Sequence, residues 1–177
     1  MIFLGGIHGV GKSFFCDEIQ KEYGIKSFSA SGLIADYKNS AVCSNKRVEN
    51  IENNQAILLK ALSFLKEIEK EFILDGHFCL LNKWGDVERI DFALFERLDI
   101  TAIILLTESP KIIMERRFNR DNTICKETDI GKFQEEEITY ALEVAKSLET
   151  PIFICKDSSD MENAMEFANK IYMGGSL

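Results

Sequence analysis

The chain lacks any apolar run near the ~18 residues that a membrane-spanning helix needs, so a helical membrane protein is not expected. It has five cysteines (Cys16, Cys43, Cys79, Cys125, Cys155), scattered singly with no C-x-x-C pair. That pattern excludes a zinc ribbon and a disulfide framework, and leaves reduced thiols as the expected state. Basic residues are few, with 21 Lys and Arg against 29 Asp and Glu, for a net charge of −8. A general nucleic-acid binder would want a basic face, so that class is not expected. No basic segment with an apolar core and a small-residue cleavage site opens the chain, and a cytoplasmic setting is the expectation. There are no internal repeats and no low-complexity segments.

What is present is the balance of a globular domain: 177 residues, 46% hydrophobic and 28% charged. A chain of this length can bury about 70% of its unfolded surface, and we expect a single domain over 1–177. Short apolar runs read as buried strands at Ile2–Leu4, Phe72–Leu74, Thr101–Leu106 and Pro151–Cys155, and Ile25–Ser29 reads as a further strand. Between them lie helical patterns. The first spans Lys12–Tyr23, with Phe15 and Ile19 on one face, and a short piece follows at 31–37. A polar stretch, 39–50, leads into a long helix carrying Ile51, Gln55, Leu58, Leu62 and Leu65. Further helices are expected at Val87–Leu98, from the Ser109-Pro110 start onward, at Lys132–Leu148, and after a Ser159…Glu162 capping box.

Five apolar strands alternating with helices predict an α/β fold: a five-stranded parallel sheet with helices on both faces. Ligands of such sheets bind at the carboxyl ends of the strands. The segment Gly6-Ile-His-Gly-Val-Gly11-Lys12-Ser13 sits at that edge and fits G-x-x-x-x-G-K-[ST] at every fixed position. It follows a strand and opens a helix, so it reads as a P-loop, and the sheet as the three-layer P-loop NTPase fold. Glycines let backbone N–H groups curl round an anion, and the helix N-terminus adds partial positive charge. Lys12 would then reach the β- and γ-phosphates of ATP, and the Ser13 hydroxyl would take Mg²⁺.

Other residues have two readings each. Asp75 ends the third strand where a metal-holding carboxylate should be, but Asp75-Gly76 is also a turn signal. Arg116, Arg117 and Arg120, three of six arginines, crowd five residues; they serve either as a solvated helix face or as a phosphate grip. Arg47 either meets an acceptor phosphate or faces solvent. His8 and His77 are either structural or near substrate. Phe14, Phe15, Phe64, Phe72, Phe92 and Phe95 fall on apolar faces and are expected in the core. Trp84 is expected to pack in the core, with stacking on a base or capping the pocket as its alternative.

The G-x-x-G-x-G-K-S loop, the strand end Leu74-Asp75-Gly76-His77 and the RRxxRD helix end together resemble the P-loop nucleoside monophosphate kinases. The likeness is greatest to archaeal-type adenylate kinases and their adenylate-kinase-like relatives. It implies ATP on Gly6, Gly9, Gly11, Lys12 and Ser13, with Val10 and Phe14 alongside, and Mg²⁺ on Ser13 and Asp75. It also implies a short lid over about 116–131 carrying Arg116, Arg117 and Arg120, and an acceptor-binding insertion over about 30–65. Arg47 and His77 would face the acceptor, a small nucleotide. Lys12, Asp75, Arg116 and Arg120 would do the chemistry. Ser31-Gly32-Leu33 departs from the family's usual Gly-Asp-Leu. Two alternatives stand beside transfer to a nucleotide. One is a kinase for a nucleoside or other hydroxyl compound, with Asp36 as base. The other is a regulatory ATPase whose bound nucleotide switches an interaction. The sequence leaves the oligomeric state open.

Overall fold

The computed structural model describes residues 1–44, 54–122 and 125–174. Its main sheet has the order β2-β3-β1-β6-β7, formed by Lys26–Ser29, Phe72–Asp75, Ile2–Gly5, Ala102–Leu106 and Ile152–Cys155. Every pairing within it is parallel. The three central strands are the most apolar, and all of Ile2, Leu4, Ile73, Leu74, Ile103 and Ile104 are fully buried. Edge strand β2 is the polar KSFS, which suits a strand with one open side. This is the predicted five-stranded parallel sheet, and helices flank it.

Among the described residues there are seven α-helices. They are α1 (Lys12–Tyr23), α2 (Ala30–Ser44), α3 (Asn54–Ile68), α4 (Phe92–Glu96), α5 (Pro110–Asp121), α6 (Glu127–Ser147) and α7 (Met161–Tyr172). Helix α1 buries Phe15 and Ile19, as their spacing requires. Helix α5 begins as predicted: the Ser109 side chain accepts from the Ile112 N–H at 3.3 Å, with Pro110 in the first turn.

Several expectations change. Val87–Leu98 is not one helix: Val87–Arg89 is strand β5, paired antiparallel with β4 (Cys79–Leu81), and only Phe92–Glu96 is helical. Helix α2 continues through the start of the stretch expected to be polar and unpatterned, and α6 starts five residues before Lys132. The capping box is replaced by a 3-10 turn, Ser158–Asp160, capped by Asp157, whose carboxylate accepts from the Ser159 N–H at 2.8 Å. Phe14 and Phe64 are not core but about 60% exposed, and Trp84 is 75% exposed at the β4–β5 turn. Cys16, Cys79 and Cys155 are buried free thiols. No described helix is long and apolar enough to cross a membrane. Arg47 lies outside the described residues.

Candidate active site

Strand register brings the two sequence signals together. Leu4 pairs with Asp75, so the glycine loop leaving β1 and the carboxylate ending β3 emerge side by side, and the Gly76 N–H donates to Leu4 O at 3.0 Å. The loop then needs backbone that L side chains resist. Gly6, Gly9 and Gly11 have φ of +132°, +92° and +114°. A Cβ on Gly6 would also lie 2.5 Å from the Leu106 carbonyl oxygen. Gly11 is the N-cap of α1 and offers no side chain, so the first amides of that helix stay free for an anion.

Lys12 is only 8% exposed; its Nζ donates to Gly6 O at 2.5 Å and lies 3.7 Å from Asp75 Oδ1. Burial pulls the lysine below its ordinary pKa, while the charge of Asp75 holds it up. Burial likewise pushes Asp75 up, opposed by Lys12. Ser13 stands one residue along, exposed to the same cleft. A carboxylate and a hydroxyl are the hard oxygen donors that suit Mg²⁺, which keeps water and phosphate oxygens in its remaining positions. Among the described residues no group of three or more His, Cys, Asp or Glu is placed to hold a metal ion.

The cleft above these residues has a volume of about 900 Å³. His8 and His77 both line it, their rings tilted by 53° with centroids 4.3 Å apart. His77 is pushed down to about 3 by burial, with Lys12 and His8 adding to the effect, so it is neutral near pH 7. The three arginines converge on the same cleft but are held differently. Arg116 donates to Val10 O at 2.9 Å and Gly9 O at 3.3 Å, and pairs with the buried Glu108 at 3.1 Å. Arg117 Nε donates to His8 O at 2.8 Å, and its Nη2 is buried without a partner, a free donor beside the loop. Arg120 is largely exposed and pairs with the neighbouring Asp121 at 2.9 Å. Phe14 lines the cleft from α1. Asp36 is exposed on α2 and is not among the residues lining the cleft.

The far half of the cleft is lined by Ser29, Ser31, Ile34, Gln55, Leu58 and Leu94, from β2, α2, α3 and α4. Two buried acids went unnoticed in the sequence. Glu108, 4% exposed, accepts from the Ser109 N–H at 2.9 Å and holds Arg116. Glu137, 1% exposed on α6, reaches the loop itself: the Gly6 N–H donates to it at 3.1 Å. Glu137 stands four residues after the buried Phe133 and four before Ala141, a charged residue at a core position of an amphipathic helix. That break in the pattern was the only signal available.

A parallel sheet with a glycine loop, a buried lysine and a strand-end carboxylate at its carboxyl edge is a P-loop kinase-like architecture. A family model described as "AAA domain" matches residues 5–133, and the chain belongs to that family. An adenylate kinase of Thermoplasma acidophilum is 25% identical over 150 residues, covering 82% of this chain and 81% of that protein. The fold is also similar to that of shikimate kinase from Bacteroides thetaiotaomicron. The TM-score is 0.55, identity is 14%, and 97% of each chain is covered.

Proposed function

We propose that the protein is an ATP-dependent phosphotransferase of the nucleoside monophosphate kinase type, moving the γ-phosphoryl of Mg-ATP to a small nucleotide. The observation that carries this reading is the convergence of Lys12, Asp75 and the arginines of α5 on one cleft over the P-loop. Transfer between phosphate oxygens needs positioning and charge neutralisation more than proton abstraction. Lys12 supplies a cation with its own orientation fixed by Gly6 O. Gly6, Gly9, Val10, Gly11, Ser13 and Phe14 would hold the nucleotide, with Arg117 Nη2 a ready donor. Mg²⁺, bound by Ser13 and Asp75, would neutralise phosphate charge. Arg116 and Arg120 would face the migrating group, and His77 and Arg47 the acceptor. In this reading 1–177 is one domain with an acceptor-binding segment over about 30–65, a lid over about 116–131 and a cytoplasmic setting.

A second reading takes a neutral hydroxyl compound as acceptor. It is favoured by Ser29, Ser31, Asn54 and Gln55, the neutral polar side chains lining the far half of the cleft. A coupled assay with Mg-ATP across nucleoside monophosphates and unphosphorylated nucleosides separates the two. Turnover of a monophosphate, abolished by Lys12→Ala, supports the proposal. Turnover of nucleosides alone favours the second reading. ATP binding without transfer to any acceptor would leave a regulatory ATPase.

A further inference from the structure

We infer that Glu137 is a positioning residue, a single buried carboxylate that locks the entry of the P-loop to the turn carrying His77 and so sets Lys12 and Asp75 in register. The inference rests on the reading of this cleft as a nucleotide site. Oε1 of Glu137 accepts from the Gly6 N–H at 3.1 Å and the Phe78 N–H at 3.0 Å, while Oε2 accepts from the Cys79 N–H at 2.6 Å. These amides come from segments 131 and about 58 residues away in sequence. One follows β1 and opens the loop; the others follow Asp75 by three and four residues.

The arrangement is costly unless it is used fully. A carboxylate 1% exposed needs hydrogen-bond donors, and three amides supply them, reaching both oxygens. Burial pushes Glu137 up, and those same amide bonds oppose the rise. Gly6 is then held on both sides: its N–H by Glu137 and its C=O by Lys12 Nζ at 2.5 Å. The lysine's position therefore depends on a residue that does not touch the cleft.

Helix α6 extends the clamp at three-residue spacing. Gln134 accepts from the Glu108 N–H at 3.1 Å and donates to Glu108 O at 2.9 Å, fixing the acid that holds Arg116. Tyr140 donates its hydroxyl to Ile90 O at 2.6 Å, steadying a wall of the cleft. Glu137 lies between them and bonds amides of both the P-loop and the segment leaving β3. An apolar residue could fill the same volume but would strand three amides.

The test reads amide exchange and catalysis separately. In the wild-type protein the Gly6, Phe78 and Cys79 amides should exchange slowly by NMR. Saturation with a fluorescent ATP analogue should slow Phe78 and Cys79 at least about tenfold more than the core amide of Ile104, since a ligand held by the loop suppresses local opening of the segments bonded to it. Glu137→Gln keeps an oxygen for Gly6 and Phe78 but turns an NH₂ toward the Cys79 N–H; Glu137→Asp shortens the reach. Both should lower transfer on the order of 10²-fold, because small displacements near reacting atoms cost that much. Their affinity for the ATP analogue should fall much less. Variants that fold and transfer within twofold of wild type would overturn the inference. If neither variant folds, wild-type exchange decides it: fast exchange at all three amides, or no response of Phe78 and Cys79 to the analogue, overturns it. Failure of the wild type to transfer to any acceptor would refute the kinase reading alone, because exchange and analogue binding do not depend on transfer.

Discussion

Arg116 and Arg120 sit one turn apart on α5, yet their surroundings give them different expected phenotypes. Arg116 is tied to two loop carbonyls and to Glu108, which is 4% exposed. Arg116→Ala would take the cation from that buried carboxylate. Because the Arg116 side chain is itself 40% exposed and the Ser109 N–H stays bonded to Glu108, the cost should be about 1–2 kcal/mol, and the loop would loosen as well. Arg120, whose side chain is 62% exposed, has little to lose in stability. We therefore expect Arg116→Ala to lower both the melting temperature and ATP affinity. Arg120→Ala should leave both near wild type while cutting single-turnover transfer, by up to about 10³ if it meets the migrating phosphoryl. Lysine at 120 should rescue poorly, since a point charge cannot reproduce a bidentate fork. Equal, wild-type transfer rates in both alanine variants would end the proposed role. Asp75 makes a second case. Asp75→Asn keeps the shape but removes the charge 3.7 Å from Lys12 and the proposed metal ligand. Turnover should fall well beyond the change in ATP-analogue affinity, with a weaker response to added Mg²⁺; parallel loss of both would make Asp75 structural.

At the scale of elements, the turn at the tip of the β4–β5 hairpin can be tested directly. Asn82 Oδ1 accepts from the Trp84 N–H at 2.9 Å and the Asp86 N–H at 3.0 Å, and Gly85 follows with φ +88°. Gly85→Ala meets open space but an unfavourable backbone, so it should cost about 1 kcal/mol, or roughly 2–4 °C in melting temperature. No change would mean the hairpin tolerates another turn. This hairpin shows where sequence reasoning runs out. Val87, Ile90, Leu94 and Leu98 are spaced by three and four, so the segment imitates a helix, although Val87 belongs to a strand. Asn82 and Gly85 are turn formers just before it, and they fit the hairpin better than a helix. The central strands were legible because strands buried on both faces must be apolar throughout. The P-loop was legible because its chemistry demands particular residues at fixed spacing. Lys12, Ser13, Asp75 and His77 accordingly all line the expected cleft. Glu137 was not legible as a partner of the loop, because a contact across 131 residues leaves no local pattern. Phe14 and Trp84 were misjudged because aromatic identity says nothing about which face a neighbour covers.

For the whole molecule, the abundance of buried acids of high pKa sets a limit on the alkaline side. Burial pushes the Cys16 and Cys155 thiols up to about 11 and Cys79 to about 12, against an ordinary value of 9.0. Tyr172 is likewise raised to about 12 from 10.0. Its hydroxyl donates to Phe72 O and accepts from the Ile2 N–H at 3.1 Å, so it pins α7 to the starts of β3 and β1. For each such group the folded pKa lies above the unfolded one. The stability it contributes is complete below the unfolded pKa and is lost as pH rises through the folded value, because only the unfolded chain gives up the proton. The window for the thiols therefore opens near pH 9 and runs to about 11 or 12. Between pH 8 and 10 each buried thiol should cost roughly 1 kcal/mol. Urea unfolding under reducing conditions should show a clear drop in stability over that interval. Cys155→Ala should shrink the drop by about that amount, whatever its own effect at pH 8. Tyr172→Phe should lower stability by about 1–2 kcal/mol at neutral pH and flatten the decline above pH 10, while leaving ATP-analogue binding unchanged, since Tyr172 lies at the opposite edge of the sheet from the cleft. A wild-type stability that is flat from pH 8 to 10 would mean that the thiols titrate as they do in the unfolded chain, and that the sheet's lower edge is open to water.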